Sequence, residues 1–89
     1  MKLVWDVKKA AASKQKHGVD FDVAIHFEFA SALVVDDDRM DYGEVRQVAI
    51  GFVGDRMHVM VFTDRGEERR VISFRKANRR EIERYEQDI

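Results

Sequence analysis

The sequence predicts an α+β fold: a small antiparallel sheet of about four strands, with two N-terminal helices and one C-terminal helix, in the order α-α-β-β-β-β-α. Two observations support this prediction. Helix-forming segments with capping residues occur near both ends of the chain. Between them, segments that alternate in hydropathy or are continuously apolar are separated by short turn signals. The length of 89 residues is that of a single domain, 1–89.

Two helices are predicted before residue 31. Asp6 is a candidate N-cap for a helix over 7–16, which is rich in alanine and lysine, and Gly18 suits a left-handed C-terminal end. Asp20 can cap a second helix over about 21–30. Apolar residues occur on two sides of this second segment, so it is either buried within the chain or covered by a partner.

The first two predicted strands follow these helices. A short strand over 32–35 leads into an acidic loop over 36–41. Residues 45–53 alternate in hydropathy, as a half-buried strand does. Gly54-Asp55 then has the composition of a two-residue hairpin turn.

The next two predicted strands form a second hairpin. Residues 57–63 are apolar on both faces, which is typical of a central strand. Asp64-Arg65-Gly66 is a candidate loop into a strand over 68–75. Simple alternation in this last strand puts Ile72 and Phe74 on one face and the following residues on the other: Arg69, Val71, Ser73 and Arg75.

A capping box predicts the start of the last helix. Asn78 and Glu81 are three residues apart, so each side chain can accept a hydrogen bond from the other's backbone N–H. Ile82, Tyr85 and Ile89 then line one side of the helix. On the exposed side, Arg79 and Glu83 have the spacing of an i,i+4 ion pair.

The net charge of −1 conceals a strong segregation of charge along the chain. Residues 1–19 carry a net of +4, residues 20–44 a net of −7, and residues 45–89 a net of +2. The overall balance argues against indiscriminate binding to nucleic acid, but it permits a local cationic site. The bases of the last segment cluster near its strands and final helix: Arg65, Arg69, Arg70, Arg75, Lys76, Arg79, Arg80 and Arg84.

Composition also bears on the compartment. The chain has no cysteine, which excludes disulfides and thiolate metal sites and is compatible with a cytoplasmic location. The first sixteen residues are too charged for a secretory signal, and no apolar run has the roughly 20 residues of a membrane span. We therefore expect no association with a membrane.

A series of short motifs from residue 5 to residue 85 resembles the BrnT family of type II toxin–antitoxin toxins. The motifs occur in the order and at the spacing of that family. They are Trp5-Asp6, 16–21 (KHGVDF), Phe29, Glu44-x-Arg46, Ile50-Gly51, the 59–63 strand, Arg65-Gly66, 70–73 (RVIS), 75–77 (RKA) and Glu81 with Tyr85. Phe74 departs from the family pattern, which usually has alanine there, and a large ring at this position is expected to reshape the surface beside Arg75.

The resemblance implies a RelE-like fold and RNA cleavage that stops translation. It also implies neutralisation by a BrnA-like DNA-binding antitoxin, so that contact with operator DNA would be indirect, through the antitoxin. We expect the antitoxin to cover cationic surface that includes Arg69 and Arg75, together with the apolar stripe of 21–30. A non-catalytic module that binds a partner or nucleic acid, or an inactivated toxin, is the alternative.

Cleavage of RNA without a metal requires a base for the ribose 2′-OH, an acid for the leaving 5′-oxygen and cations for the charge on the phosphate. Arginine suits the last role because its planar fork binds phosphate through two bonds. We predict that Arg75, together with Arg65 or Arg69, binds the scissile phosphate. The alternative is that these arginines are solvated or paired with carboxylates.

The other candidate catalytic residues each have a structural alternative. His17 is a candidate for proton transfer because imidazole is a common general acid or base, but it can equally be a cation at the end of the first helix. Glu44 is a candidate base or the partner of Arg46. Tyr85 can stack on a base or donate a proton, whereas its alignment with Ile82 favours packing. The candidate RNA-binding residues are Lys16, Arg46, Arg69 and Arg79.

Metal sites and cofactors are not predicted. The three histidines, His17, His26 and His58, have no ligand spacing. The acidic loop with Asp36, Asp38 and Asp41 lacks the glycine and the final glutamate of a calcium-binding loop, so it is interpreted as a solvated loop. Together with the absence of a metal motif, the resemblance to the BrnT family implies a metal-independent RNA endonuclease.

Overall fold

The computed structural model describes residues 1–88. Ile89, predicted to line the apolar side of the last helix, lies outside the described residues. The fold is α+β, as predicted, and its sheet has the strand order β1-β5-β4-β3-β2. In chain order the elements are β1 (Lys2–Val4), α1 (Val7–His17), two 3₁₀ helices (Phe21–His26 and Phe29–Ser31), β2 (Leu33–Asp37), β3 (Arg46–Val53), β4 (Arg56–Arg65), β5 (Glu68–Lys76) and α2 (Arg79–Asp88).

The prediction of about four antiparallel strands is wrong in two respects. The sheet has five strands, and β1 pairs in parallel with β5, so that Lys2 lies beside Glu68 and Val4 beside Arg70. A strand of three residues has too few positions to show a period in the sequence. Its pairing also depends on a strand more than sixty residues away, which no local pattern reveals.

The second predicted helix is also not a single α-helix. Asp20 caps it as predicted, accepting a hydrogen bond from the Asp22 N–H at 3.0 Å. At Phe27, however, the backbone is extended (φ −67°, ψ 127°), and the next N–H, that of Glu28, donates to the carbonyl of Phe52 at 2.9 Å. This bond to β3 replaces a helical one and divides the segment into two 3₁₀ turns.

The predicted helix caps are confirmed. Asp6 accepts a hydrogen bond from the Lys9 N–H at 3.0 Å, and Gly18 ends α1 in the left-handed conformation (φ 74°). At α2, the Asn78 N–H donates to Glu81 Oε1, and the Glu81 N–H donates to Asn78 Oδ1, both at 2.9 Å. Both α-helices therefore begin where short-range sequence signals place them.

The turns and strand ends differ in detail from the prediction. Gly54-Asp55 joins β3 to β4 as predicted, because Val53 pairs with Arg56. The second turn starts two residues later than predicted: Arg65 pairs with Glu68, so Arg65 ends β4 and the turn is Gly66-Glu67. β2 runs to Asp37 and so includes two residues of the predicted acidic loop.

The two faces of the sheet carry different layers. Face A carries Ala49, Met60, Phe62, Val71 and Phe74, which pack against Phe21 and Ala24 of the first 3₁₀ helix and against Phe27 directly after it. Gly51 permits this close approach, since a Cβ there would lie 2.9 Å from the Phe27 ring. Face B carries Val48, Ile50 and Val59, and α2 packs on it through Ile82 and Tyr85.

A β-bulge in β5 overturns the predicted alternation. Val61 pairs with Ser73, but the next residue, Phe62, pairs with Val71, so Ile72 is the extra residue. Val71 therefore lies with Phe74 in the core on face A, not with Ser73 as alternation predicted. Each β5 residue before Ile72 therefore points to the face opposite to the one that strict alternation predicts from the residues after Ile72.

Among the helices that the structure describes between residues 1 and 88, none combines the length and apolar character needed to cross a bilayer.

Candidate functional site

A cavity of about 300 Å³ opens between the start of α1 and the end of the sheet where β4 and β5 turn. Four cationic side chains and two carboxylates line it, so the cavity has a positive balance. Val71 and Ile72 at the bulge also line it. The charged residues are Lys9, Arg46, Arg65 and Arg70, with Asp6 and Glu44.

One row of paired residues on face B brings the sheet arginines together. Arg70 of β5 pairs with Thr63 of β4, and Asp37 of β2 pairs with Arg46 of β3. Gln47 pairs with Phe62, so Arg46 lies level with Thr63. Pairing registers thus align three neighbouring strands so that Arg46 and Arg70 flank Thr63.

Thr63 fixes the chain that leads into β3. Its side chain is buried, and its hydroxyl donates to the carbonyl of Val45 at 2.7 Å. Val45 lies between Glu44 and Arg46, so this bond holds the backbone from which both cavity side chains extend.

Glu44 is shared by two arginines. One carboxylate oxygen accepts from Arg65 at 3.1 Å and the other from Arg46 at 3.5 Å. The hydrogen bond from Arg65 is the main cause that lowers the pKa of Glu44, so the carboxylate is charged at neutral pH. Within residues 1–88, Arg46 Nε is buried without a hydrogen-bond partner, and its guanidinium stacks on Tyr42 at 4.0 Å.

The segment before Glu44 is anchored by Asp37. The buried carboxylate of Asp37 accepts two bonds from the Arg39 guanidinium, at 2.7 and 2.8 Å, and one from the Tyr42 hydroxyl at 3.3 Å. The bonds from Arg39 are the main cause that lowers the pKa of Asp37 to about 2. Tyr42 is therefore held where the Arg46 guanidinium can stack on it.

Arg75, the centre of the predicted phosphate site, lies away from this cavity. It pairs with Val59, four residues along β4 from Thr63, which corresponds to about 13 Å. Its guanidinium donates to both oxygens of Glu81, at 2.8 and 2.7 Å. This pairing raises the pKa of Arg75, while the nearby charge of Arg39 acts in the opposite direction.

Arg69 lies on face A, opposite the cavity. It donates to both oxygens of Asp64, at 2.8 and 2.9 Å, and its guanidinium stacks on the rings of Phe29 and Phe62. Arg75 was predicted to bind the scissile phosphate together with Arg65 or Arg69, but the three lie in different places: Arg65 in the cavity, Arg69 on face A and Arg75 beside α2. Each contacts a carboxylate.

The remaining predicted residues are also outside the cavity. Lys16 and His17 are exposed at the C-terminal end of α1, about 15 Å along the helix from Asp6. Tyr85 is buried and donates its hydroxyl to the carbonyl of Ser31 at 2.8 Å. Arg79 is exposed and lies 3.5 Å from Glu83, the predicted i,i+4 partner.

Phe74 does not shape the surface beside Arg75, so that expectation is wrong. Its ring is fully buried on face A, where it contacts the rings of Phe21 and Phe27 and stacks on His58. Neighbouring residues of a strand point to opposite faces, so Arg75 lies on face B.

Sequence reasoning placed Arg46, Arg65 and Glu44 among the site residues but gave no role to Lys9 or Arg70. Arg70 reaches face B because of the bulge, which strict alternation could not reveal. Lys9 reaches the cavity because β1 pairs with β5 and brings the start of α1 beside that strand. In the described range 1–88, no three His, Asp or Glu side chains converge as a set of metal ligands.

Comparisons with known proteins agree with the motifs. No curated protein matches the chain. A family model described as the ribonuclease toxin BrnT of a type II toxin–antitoxin system matches residues 5–81, which is most of the chain and includes all the cavity residues. The chain therefore belongs to the BrnT family of ribonuclease toxins.

Proposed function

We propose that this BrnT-family protein cleaves RNA and thereby inhibits translation, and that the cation-lined cavity binds the scissile phosphate. The observation that supports the proposal is the convergence of Lys9, Arg46, Arg65 and Arg70 on one cavity, in a chain whose family is a ribonuclease family. The proposal includes a RelE-like fold and a cytoplasmic location, where translated RNA is found.

Arg65 and Arg46 have the chemistry that the transition state requires. During cleavage the phosphate gains negative charge, and fixed guanidinium groups stabilise that charge without reorganising. The Glu44 carboxylate contacts these two guanidinium groups at 3.1 and 3.5 Å. These contacts are longer than the 2.7–2.8 Å bonds from Arg75 to Glu81. A phosphodiester carries one negative charge, as a carboxylate does, but it gains a second as the 2′-oxygen attacks, so it competes for these guanidinium groups most strongly in the transition state.

Glu44 is also the candidate base for the ribose 2′-OH. It is charged at neutral pH and lies between the two arginines, so it can accept a proton beside the bound phosphate. Its lowered pKa makes it a weak base, so most of the rate enhancement is assigned to the arginines. Catalytic roles are still predicted for His17, Arg75 and Tyr85. RNA binding is still predicted for Lys16, Arg69 and Arg79. Substitution of each residue tests its role.

The reaction is proposed to need no metal ion, because the cations that line the cavity supply the positive charge. The test is cleavage of a defined RNA by the purified protein in EDTA. We expect defined products in EDTA from the wild type and a large loss of rate for Arg46→Ala. Activity that appears only after a divalent metal is added would contradict metal independence, and no cleavage under either condition would contradict the nuclease proposal.

The proposed partner is a BrnA-like antitoxin that binds DNA, with operator DNA reached only through it. Apolar surface near the first 3₁₀ helix supports a protein contact, since Ile25 and Met1 are exposed beside the partly buried Phe29. Adding the antitoxin should suppress both cleavage and growth arrest. If Ile25→Glu leaves affinity for the antitoxin unchanged, the interface lies elsewhere.

A non-catalytic binding module is the second candidate, and one observation favours it. Arg65, Arg69 and Arg75 each contact a carboxylate within the chain, which is also how purely structural arginines behave. Expression of the protein without its antitoxin separates the two candidates. Growth arrest with cleaved cellular RNA supports the nuclease, and harmless expression of folded protein that still binds RNA supports the module.

A further inference from the structure

Strict alternation along β5 would point Arg70 away from the cavity. Ser73 and Arg75 lie on face B, and Arg70 is three residues before Ser73, which is an odd number. The extra residue at Ile72 changes this parity. Arg70 therefore lies on face B, while Val71 fills the core on face A. Bulges re-aim side chains in this way and are frequent beside active sites.

We infer that Arg70 is a substrate-contacting residue, aimed into the cavity by this bulge, that binds a phosphate of the RNA chain. The inference rests on the proposed function, because it extends the same site. Arg70 lines the cavity and is exposed, and it pairs with Thr63, the residue that holds the chain between Glu44 and Arg46. Its guanidinium is thus placed beside the two arginines that share Glu44.

Arg70 is a cation without an ion-pair partner in the part of the chain that the structure describes. Within residues 1–88, Arg46 and Arg65 share Glu44, and Arg69 is bound to Asp64, but no carboxylate lies within ion-pair distance of Arg70. Lys9, across the cavity, has no such partner among these residues either. An unpaired guanidinium keeps its whole fork for a ligand, and phosphate is the anion that this fork fits.

The inference is tested by binding, separately from cleavage. The probe is a short RNA with a 2′-O-methyl group at each position, which cannot be cut because it has no free 2′-hydroxyl, and the dissociation constant is measured at several salt concentrations. We expect Arg70→Ala to weaken binding about tenfold. The slope of log K against log salt concentration should become shallower by about one, which corresponds to the loss of one phosphate contact. Arg70→Lys should restore the slope but only part of the affinity, because lysine is a point charge.

Arg56→Ala is the matched control. Arg56 is an exposed arginine of β4 at the opposite end of the sheet, and no ion pair forms with it among residues 1–88. It should leave both the affinity and the salt slope unchanged. Thermal unfolding of each variant identifies any loss of fold, and Arg70→Gln replaces Arg70→Ala if the shorter side chain unfolds the domain.

The outcomes separate the inference from the proposed function. Equal affinity and salt slope for folded Arg70→Ala and Arg56→Ala would overturn the inference, even if the wild type cleaves RNA. Weaker binding by Arg70→Ala with no cleavage by the wild type would uphold the phosphate contact and refute the nuclease. Weaker binding together with a slower rate supports both.

Discussion

Two groups of arginine and glutamate side chains on face B differ in the partners that the carboxylate contacts. At α2, Arg75 meets Glu81 through two bonds of 2.8 and 2.7 Å, and Glu81 also accepts the Asn78 N–H that opens the helix. In the cavity, Glu44 makes one contact with each of two arginines, at 3.1 and 3.5 Å. Glu81 joins an arginine to a helix cap, whereas Glu44 balances part of a cationic cluster.

The difference indicates that a pair of the right residue types is not evidence of a site. Arg75 and Glu81 satisfy each other and the backbone, which is the role of a structural ion pair. The cavity holds more positive charge than its two carboxylates balance, and it has space for a ligand. A binding site thus differs from a structural contact in that it has excess charge next to a cavity.

The largest effect is expected for Arg65→Ala. Its guanidinium is exposed at the cavity, and its loss removes a fixed cation from the phosphate as charge develops. We expect the cleavage rate in EDTA to fall about 100-fold, as when one oxyanion-binding donor is removed. Initial rates on a defined RNA measure the effect, with Arg56→Ala as the matched arginine. A rate within threefold of the wild type would remove Arg65 from the catalytic group.

A smaller effect, on stability, is expected for Arg75→Ala. The pair with Glu81 is partly buried, so losing its two charged hydrogen bonds should lower the free energy of unfolding by about 1–2 kcal/mol. Urea unfolding at neutral pH measures this change. An unchanged midpoint would mean that the pair contributes nothing to the fold.

The same variant decides the role that the sequence predicts for Arg75. Cleavage is measured at a temperature where the variant is fully folded, and the rate is compared with that of Glu81→Gln. Loss of stability in both variants, with cleavage retained, assigns Arg75 to the scaffold. A fall of about 100-fold in Arg75→Ala alone would assign it to catalysis, and the comparison of the two groups would then fail.

Local signals in the sequence predicted most of the fold. The caps at Asp6, Gly18 and Asn78 and the turn at Gly54-Asp55 depend on residues within four positions of each other, and the structure has all of them. The missed features are non-local. Parallel pairing of β1 depends on β5, and the break at Phe27 depends on a bond to Phe52 of β3.

The same distinction applies to the site. Glu44 and Arg46 were predicted because their motif is part of the resemblance to the BrnT family, and Arg65 because it was placed in a hairpin loop. Arg70 could not be predicted, because a single extra residue at Ile72 decides its face and no composition rule requires a bulge there. Arg75 does not lie beside Arg65, because each further residue along a strand adds about 3.3 Å of distance.

The last expected effect is a dependence of stability on pH that originates beside the cavity. The pKa of Asp37 is about 2 in the folded protein, against an ordinary value of 3.8, mainly because of its bonds from Arg39. A lowered carboxyl pKa means that the unfolded chain takes up the proton first as pH falls. The stabilisation from charged Asp37 is therefore complete above about pH 4 and is lost as the pH falls towards 2.

Asp37→Asn should remove this dependence, and Asp38→Asn is the matched control, because Asp38 is an exposed neighbour. Urea unfolding at a series of pH values from about 6 to 2 measures the difference in the free energy of unfolding between wild type and each variant. For Asp37→Asn this difference should be constant down to about pH 4 and then shrink. If it were constant throughout, the charged form of Asp37 would gain no stability from its bonds with Arg39.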